Sequence, residues 1–274
     1  MLLLAATAAL LPLFAACDTN QAQSGSGQLS PAMIHDIQPL TQEELHTVAS
    51  LKVAFGHQSV GANIIDGIRR IASRGGVRLN VSEGRHGFVG PAIHHFTIGE
   101  NGNPAGKIQD FSDTMQSAMA GTADVAFMKL CYIDFGSGAD PVATARRYTA
   151  AVEVLSATQP ATIFVPMTAP LTTVQTGPKA WIKRLLGKSP AGEEENLLRA
   201  QFNAALREHY SGDARLFDLA AIESAHGAVS FIRDGRTFEA LAPQLTDDGG
   251  HLNEEGQDRV ATALLRHLAN QPRR

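Results

Sequence analysis

Basic blocks, internal repeats and long apolar stretches are all missing from this chain of 274 residues. Lys and Arg number 23 against 27 Asp and Glu, a net charge of -4 with no positive cluster, which excludes nucleic acid as a natural partner. Two cysteines, Cys17 and Cys131, are too few for a disulfide framework. Tryptophan occurs once, at Trp181. The one continuous apolar stretch, residues 2–16, is too short for a comfortable membrane span. No G-x-x-x-x-G-K-[ST] loop and no H-E-x-x-H or H-x-x-x-H pair occurs, so no cofactor is implied.

What is there suits one large globular domain. Hydrophobic residues make up 44% and charged residues 18%, ordinary values for a chain able to bury a sizeable core. Residues 2–16 read as the apolar region of a secretory signal. Ala15-Ala16-Cys17 resembles a bacterial lipobox, with Phe14 where leucine is usual. The expected organisation is a signal peptide with a lipobox-like end over 1–17, a flexible tether over 18–33 and a folded domain over 34–274. Lipidation of Cys17 would anchor an exported protein in the bacterial cell envelope and leave Cys131 without a disulfide partner. Cleavage near Ala16 would instead release a soluble product.

Five apolar runs have strand length: 51–55, 77–81, 124–130, 161–167 and 214–220. Most are apolar nearly throughout, which suits strands of a parallel sheet covered on both faces. Helical periodicity lies between them, over 61–74, 107–120, 140–158, 193–210 and 253–270. Asp140 and Pro141 open one of these helices as cap and first residue. Such alternation predicts a three-layer α/β/α sandwich with its ligand site at the carboxyl ends of the strands. Two long connections, 172–192 and 226–245, interrupt the rhythm; connections of that length are usually functional or mobile.

The stretch VAFGHQSVGANI, 53–64, leaves the first strand and presents His57, Gln58 and Ser59 before a helix. Ser59 thereby stands where a helix N-terminus favours developing negative charge. Serine also serves there as an ordinary helix cap. Near the other end, TDDGGHLNEEGQ places Asp248 three residues before His251 and just ahead of the last helix. A histidine acting as general base needs its second ring nitrogen held by an acceptor, which Asp248 can supply. Asp248 and Asn253 are alternatively turn and cap residues around a surface histidine. HQSVG also approaches the G-x-S-x-G elbow, but that serine follows a mid-chain strand, whereas one strand precedes Ser59.

From about Leu51 to Leu268 the arrangement resembles the SGNH/GDSL hydrolase superfamily. DGGH matches that superfamily's D-x-x-H motif directly, and FGHQSVG matches its serine block loosely. FGHQSVG, KLCYIDF and GGHLN together look like an exported branch of it. The resemblance implies a flavodoxin-like five-stranded parallel sheet, catalytic Ser59, Asp248 and His251, and an oxyanion hole using the amides of Ser59 and Gly87. It departs at the third block, where Cys131 and Ile133 stand in place of a glycine and an asparagine. Losing one oxyanion donor costs about 10²–10³ in rate unless it is replaced. Asn63, Asn101, Asn103, Lys129 and Tyr132 are the candidate replacements, and His57 and Gln58 are expected to line the site.

Other clusters allow other chemistry. His57, His86, His94 and His95, with Asp134 and His251, suggest a metal only weakly, because their spacing follows no ligand motif. GENGNPAGK, 99–107, is a loop with Lys107 available to an anionic substrate, and Cys131 is an alternative nucleophile. Three functions are therefore expected in competition. They are a serine esterase or acyltransferase acting on a small ester, an O-acylated glycan or a lipid, a non-catalytic glycan-binding or scaffolding protein on the same fold, and a metal-dependent phosphoesterase.

Overall fold

A computed structural model describes residues 37–272. Cys17 and the expected signal and tether segments lie outside these residues. Five parallel strands form the main sheet in the order β2-β3-β1-β4-β5. They are β1 (Lys52–His57), β2 (Val81–Glu83), β3 (Ala92–Thr97), β4 (Val125–Met128) and β5 (Ile163–Phe164). The helices are α1 (Gln42–Ala49), α2 (Val60–Gly75), α3 (Pro104–Gln116), α4 (Pro141–Thr158), α5 (Gly177–Leu185), α6 (Glu193–His209), α7 (Leu219–Glu223) and α8 (Glu254–Ala269). A hairpin of β6 (Ser230–Arg233) and β7 (Arg236–Glu239) stands apart from the sheet.

Side chains alternate across a strand, so each strand feeds two cores. Val53 and Phe55 of β1 join Val125 and Phe127 of β4 under α1, α2, α7 and α8. Ala54, with Phe96, Ala126 and Phe164, faces α3, α4 and α6 through Phe111, Tyr148 and Phe202. The molecule is therefore a three-layer α/β/α sandwich. α2 and α8 approach so closely that a Cβ on Gly67 would lie 2.4 Å from the Gln257 carbonyl oxygen.

Three strand expectations need correction. Of the run 77–81 only Val81 lies in a strand, as the first residue of β2 (Val81–Glu83). β3 lies next to β1 although it contains His94 and His95. Both histidines are buried: His94 stacks on Phe88, and His95 bonds to His57. Polar residues at mid-strand hid an element that tertiary partners satisfy. The run 214–220 is not a strand; only Phe217 bridges, to Met167 beyond β5, before Asp218 caps α7.

Candidate active site

β1 ends at His57, and Ser59 precedes the first turn of α2 with a non-helical backbone (φ 15°, ψ -87°). Its hydroxyl makes no capping hydrogen bond, so Ser59 does not perform the ordinary duty of a serine in that place. The preceding residues tie the turn down. The Gln58 amide donates to the carbonyls of Ile98 at 2.9 Å and Gly99 at 2.7 Å, binding the turn to the loop after β3. The His57 ring lies on Gly61, where a Cβ would fall 2.3 Å from the ring's Cγ. Gly61 is thus a requirement of the His57 position.

His57 is buried, with Nε2 3.1 Å from His95 Nδ1 and its own Nδ1 without a partner. Burial first, then Lys129 and His95, push its pKa down to about 3 from 6.5. The folded state keeps His57 neutral where the unfolded chain protonates it, so stability falls with pH between about 6.5 and 3. The difference in unfolding free energy between wild type and His57→Gln should change across that window, wild type losing more. Urea titrations at several pH values check this; a constant difference would contradict it.

At the far end of the chain, one carboxylate organises the second half of the site. Asp248 Oδ1 accepts from the backbone N–H of Gly250 at 2.9 Å and of His251 at 2.8 Å. Asp248 Oδ2 lies 2.7 Å from His251 Nδ1. That bond to His251, then the two N–H donors, hold the Asp248 carboxyl well below the usual carboxylate range. The pair is open to solvent, with side chains 57% and 42% exposed for Asp248 and His251. His251 Nε2 lies 3.4 Å from the Tyr132 hydroxyl.

Ser59 and His251 occupy the same edge of the sheet without a hydrogen bond between them. Asn63, one turn after Ser59, accepts from the Leu252 N–H at 3.3 Å, so the start of α2 and the Asp248–His251 loop touch. Tyr132 stands in the short 3₁₀ turn Tyr132–Phe135 after β4, the strand beside β1. Its ring meets His251 edge-on at 5.6 Å.

The remaining candidates fall elsewhere. Gly87 packs against Thr122 and Ala118, in the connection that enters β4 at its amino end, and does not reach Ser59. It lies in the connection from β2 to β3, whereas the strand paired beside β1 is β3, so the loop that leaves the sheet next to the Ser59 turn is 98–103. That loop directs its N–H groups inward, Gly99 to Asp110 at 2.7 Å and Gly102 to Asp134 at 2.8 Å. Asn103 caps α3 through the Gly106 N–H, and Asn101 accepts from Lys107. Lys107 is buried and bonded to both Asp134 oxygens at 2.8 Å, which withdraws it from any anionic substrate. Lys129 is buried against the Leu130 carbonyl and the Cys131 sulfur, its pKa lowered by burial, and Cys131 is buried as well. Ile133, in the place of the resemblance's asparagine, is 53% exposed. Among the described residues no group of three or more His, Cys, Asp or Glu is placed to hold a metal.

Three supports went unread in the sequence. Asn196, Arg199 and Asn203 form a buried polar stripe along α6 at spacings of three and four. That stripe was the available signal, since buried polar side chains need partners. Asn196 and Asn203 clamp the backbone of Thr172 and Ala169. The clamped loop in turn supplies the Thr173 N–H that donates to the Gly249 carbonyl at 2.9 Å. Arg199 donates to the Tyr132 carbonyl at 3.1 Å and lies over the Tyr132 ring at 5.8 Å. α6 thus fixes both neighbours of His251.

No protein-family model matches the chain, and no curated protein matches it. The chain is similar to several solved structures. A candidate platelet activating factor from Streptococcus pneumonia shares 12% identity over 82% of this chain and 89% of that one, with a TM-score of 0.47. A candidate GDSL-like lipase from Parabacteroides merdae shares 11% over 80% and 95%, with a TM-score of 0.46. A candidate lipase from Chitinophaga pinensis shares 13% over 78% and 95%, with a TM-score of 0.36. The structure itself is a three-layer α/β/α sandwich, with Ser59 in the turn after β1 and the Asp248–His251 loop just before α8.

Proposed function

We propose that this protein is a serine ester hydrolase, or an acyltransferase, of SGNH type. The observation that carries the reading is the 2.7 Å bond between Asp248 and His251 Nδ1. It fixes the imidazole through Nδ1 and leaves Nε2, 3.4 Å from the Tyr132 hydroxyl, as the basic nitrogen, on the edge where the Ser59 hydroxyl makes no capping bond. Ser59 Oγ attacks the ester carbonyl, and His251 Nε2 takes the hydroxyl proton. The tetrahedral intermediate collapses to an acyl-serine as His251 returns that proton to the leaving alcohol. Water, or an acceptor hydroxyl, then releases the acyl group by the reverse sequence. Asp248 orients His251 and stabilises its charged form. Catalytic hydrogen bonds are often long without substrate, and the weak 3.4 Å contact to Tyr132 is easily exchanged for one to Ser59.

The N–H groups that open α2 at Ser59 and Val60 have no intrahelical acceptor and face the developing oxyanion. Asn63 supplies the further donor: with its Oδ1 held by Leu252, its NH₂ is oriented and available. Asn63→Ala should therefore lower turnover about 10²-fold with a smaller effect on KM. Steady-state assay on a short-chain aryl ester checks this, and unchanged turnover would remove Asn63 from the hole.

An O-acylated glycan or lipid of the cell envelope suits an exported protein lipidated at Cys17. A second reading, a non-catalytic glycan-binding protein, is favoured by the missing bond between Ser59 and His251 and by exposed Ile133. The test compares aryl ester and phosphate monoester turnover with and without a chelator. Ester turnover that survives the chelator is expected. Phosphate turnover abolished by the chelator would favour the metal-dependent alternative, and turnover of neither would favour the binding protein.

A further inference from the structure

α5 is amphipathic in the wrong direction for a core helix. Its apolar positions 178, 181, 182 and 185, continued by Leu186 at the C-cap, recur at the spacing of one helical face. That face points to solvent: Trp181 is 63% exposed, Leu185 65% and Leu186 67%, while Ala180 is buried. Monomeric proteins seldom leave a contiguous apolar patch open without a use for it. The segment 177–188 contains Lys179, Lys183, Arg184 and Lys188 and no acidic residue. Glu193 pairs with Arg184, and Arg233 pairs with Glu193 and Glu194, so the charge the segment keeps is that of Lys179, Lys183 and Lys188.

An apolar stripe with tryptophan, flanked by lysines, is the composition of a helix lying in the interface of an anionic bilayer. Lysine stems can extend along the apolar surface while their ammonium groups meet phosphate. The location ties the patch to the candidate site. Thr173 donates to Gly249 in the Asp248–His251 loop, and α5 begins four residues later, within about 14 Å of chain.

We propose that α5 docks the protein on an anionic phospholipid surface, with Trp181, Leu185 and Leu186 in the interface and the mouth of the site beside it. The docking does not depend on Ser59 being a nucleophile or on lipidation of Cys17.

The test uses the full chain and needs no label, because Trp181 is the only tryptophan and its fluorescence reports on α5 alone. Phosphatidylglycerol vesicles should shift its emission to the blue, and brominated lipids should quench it. Phosphatidylcholine vesicles should do so far less. Replacing Lys179, Lys183 and Lys188 together by Gln should weaken vesicle affinity about 10²-fold. Leu185→Glu with Leu186→Glu should abolish the shift at unchanged Tm. Emission unaltered by phosphatidylglycerol, even when the protein sediments with the vesicles, would overturn the proposal. A blue shift that grows with protein concentration without lipid would overturn it too, in favour of a second copy covering the face.

Discussion

Ser59→Ala is expected to lower aryl ester turnover by about 10⁴–10⁶-fold, the range for removing a nucleophile that works as a unit with its base. The fold should not register the change, since the Ser59 hydroxyl makes no capping bond. A large loss of kcat with an unchanged Tm separates a nucleophile from a structural cap. Asp248→Asn should cost nearly as much, about 10⁴-fold, by offering His251 Nδ1 the wrong partner. It should also loosen the loop, because Asp248 Oδ1 holds two backbone N–H groups. If Ser59→Ala keeps near wild-type turnover, the observed hydrolysis does not pass through this serine.

The second large effect is on stability. Lys107 and Asp134 both have side chains with 0% exposure, and Asp134 also accepts from the N–H groups of Gly102 and Cys131. Removing one partner of such a pair strands a buried charge, at a cost of about 3–5 kcal/mol. For a domain of this size Lys107→Ala should lower Tm by about 6–20 °C. Lys107→Met combined with Asp134→Leu should recover part of that loss, since no charge is then left unpaired. Thermal unfolding of the three variants checks this. A Lys107→Ala protein melting with wild type would mean that water reaches Asp134. The pair also joins the loop after β3 to the turn that carries Tyr132, so Lys107→Ala should lose activity along with stability.

The layers of this fold were legible because helical and strand periodicities differ and alternate along the chain. β3 was not legible, because His94 and His95 earn their burial from Phe88, His57 and Arg69, contacts that no local pattern announces. The Asp248–His251 bond could be read from spacing, since three residues on one turn suffice to make it. The place of Gly87 could not, because it depended on knowing which strand lies beside β1. Lys107 looked like a free cation in a loop and is instead the first turn of α3, paired in the interior. Arg199 stood in a helix that read as amphipathic; its three- and four-residue spacing to Asn196 and Asn203 was the one signal, and its partner Tyr132 comes from a distant turn that no local pattern announces.

Covalent capture is the most direct measurement of the central claim. The protein would be treated with a fluorophosphonate, its intact mass recorded and the modified peptide mapped. One adduct per chain is predicted, on Ser59, absent from Ser59→Ala and strongly slowed in His251→Gln. No adduct on the folded protein, or one on another residue that persists in Ser59→Ala, would contradict the assignment of Ser59 as the nucleophile.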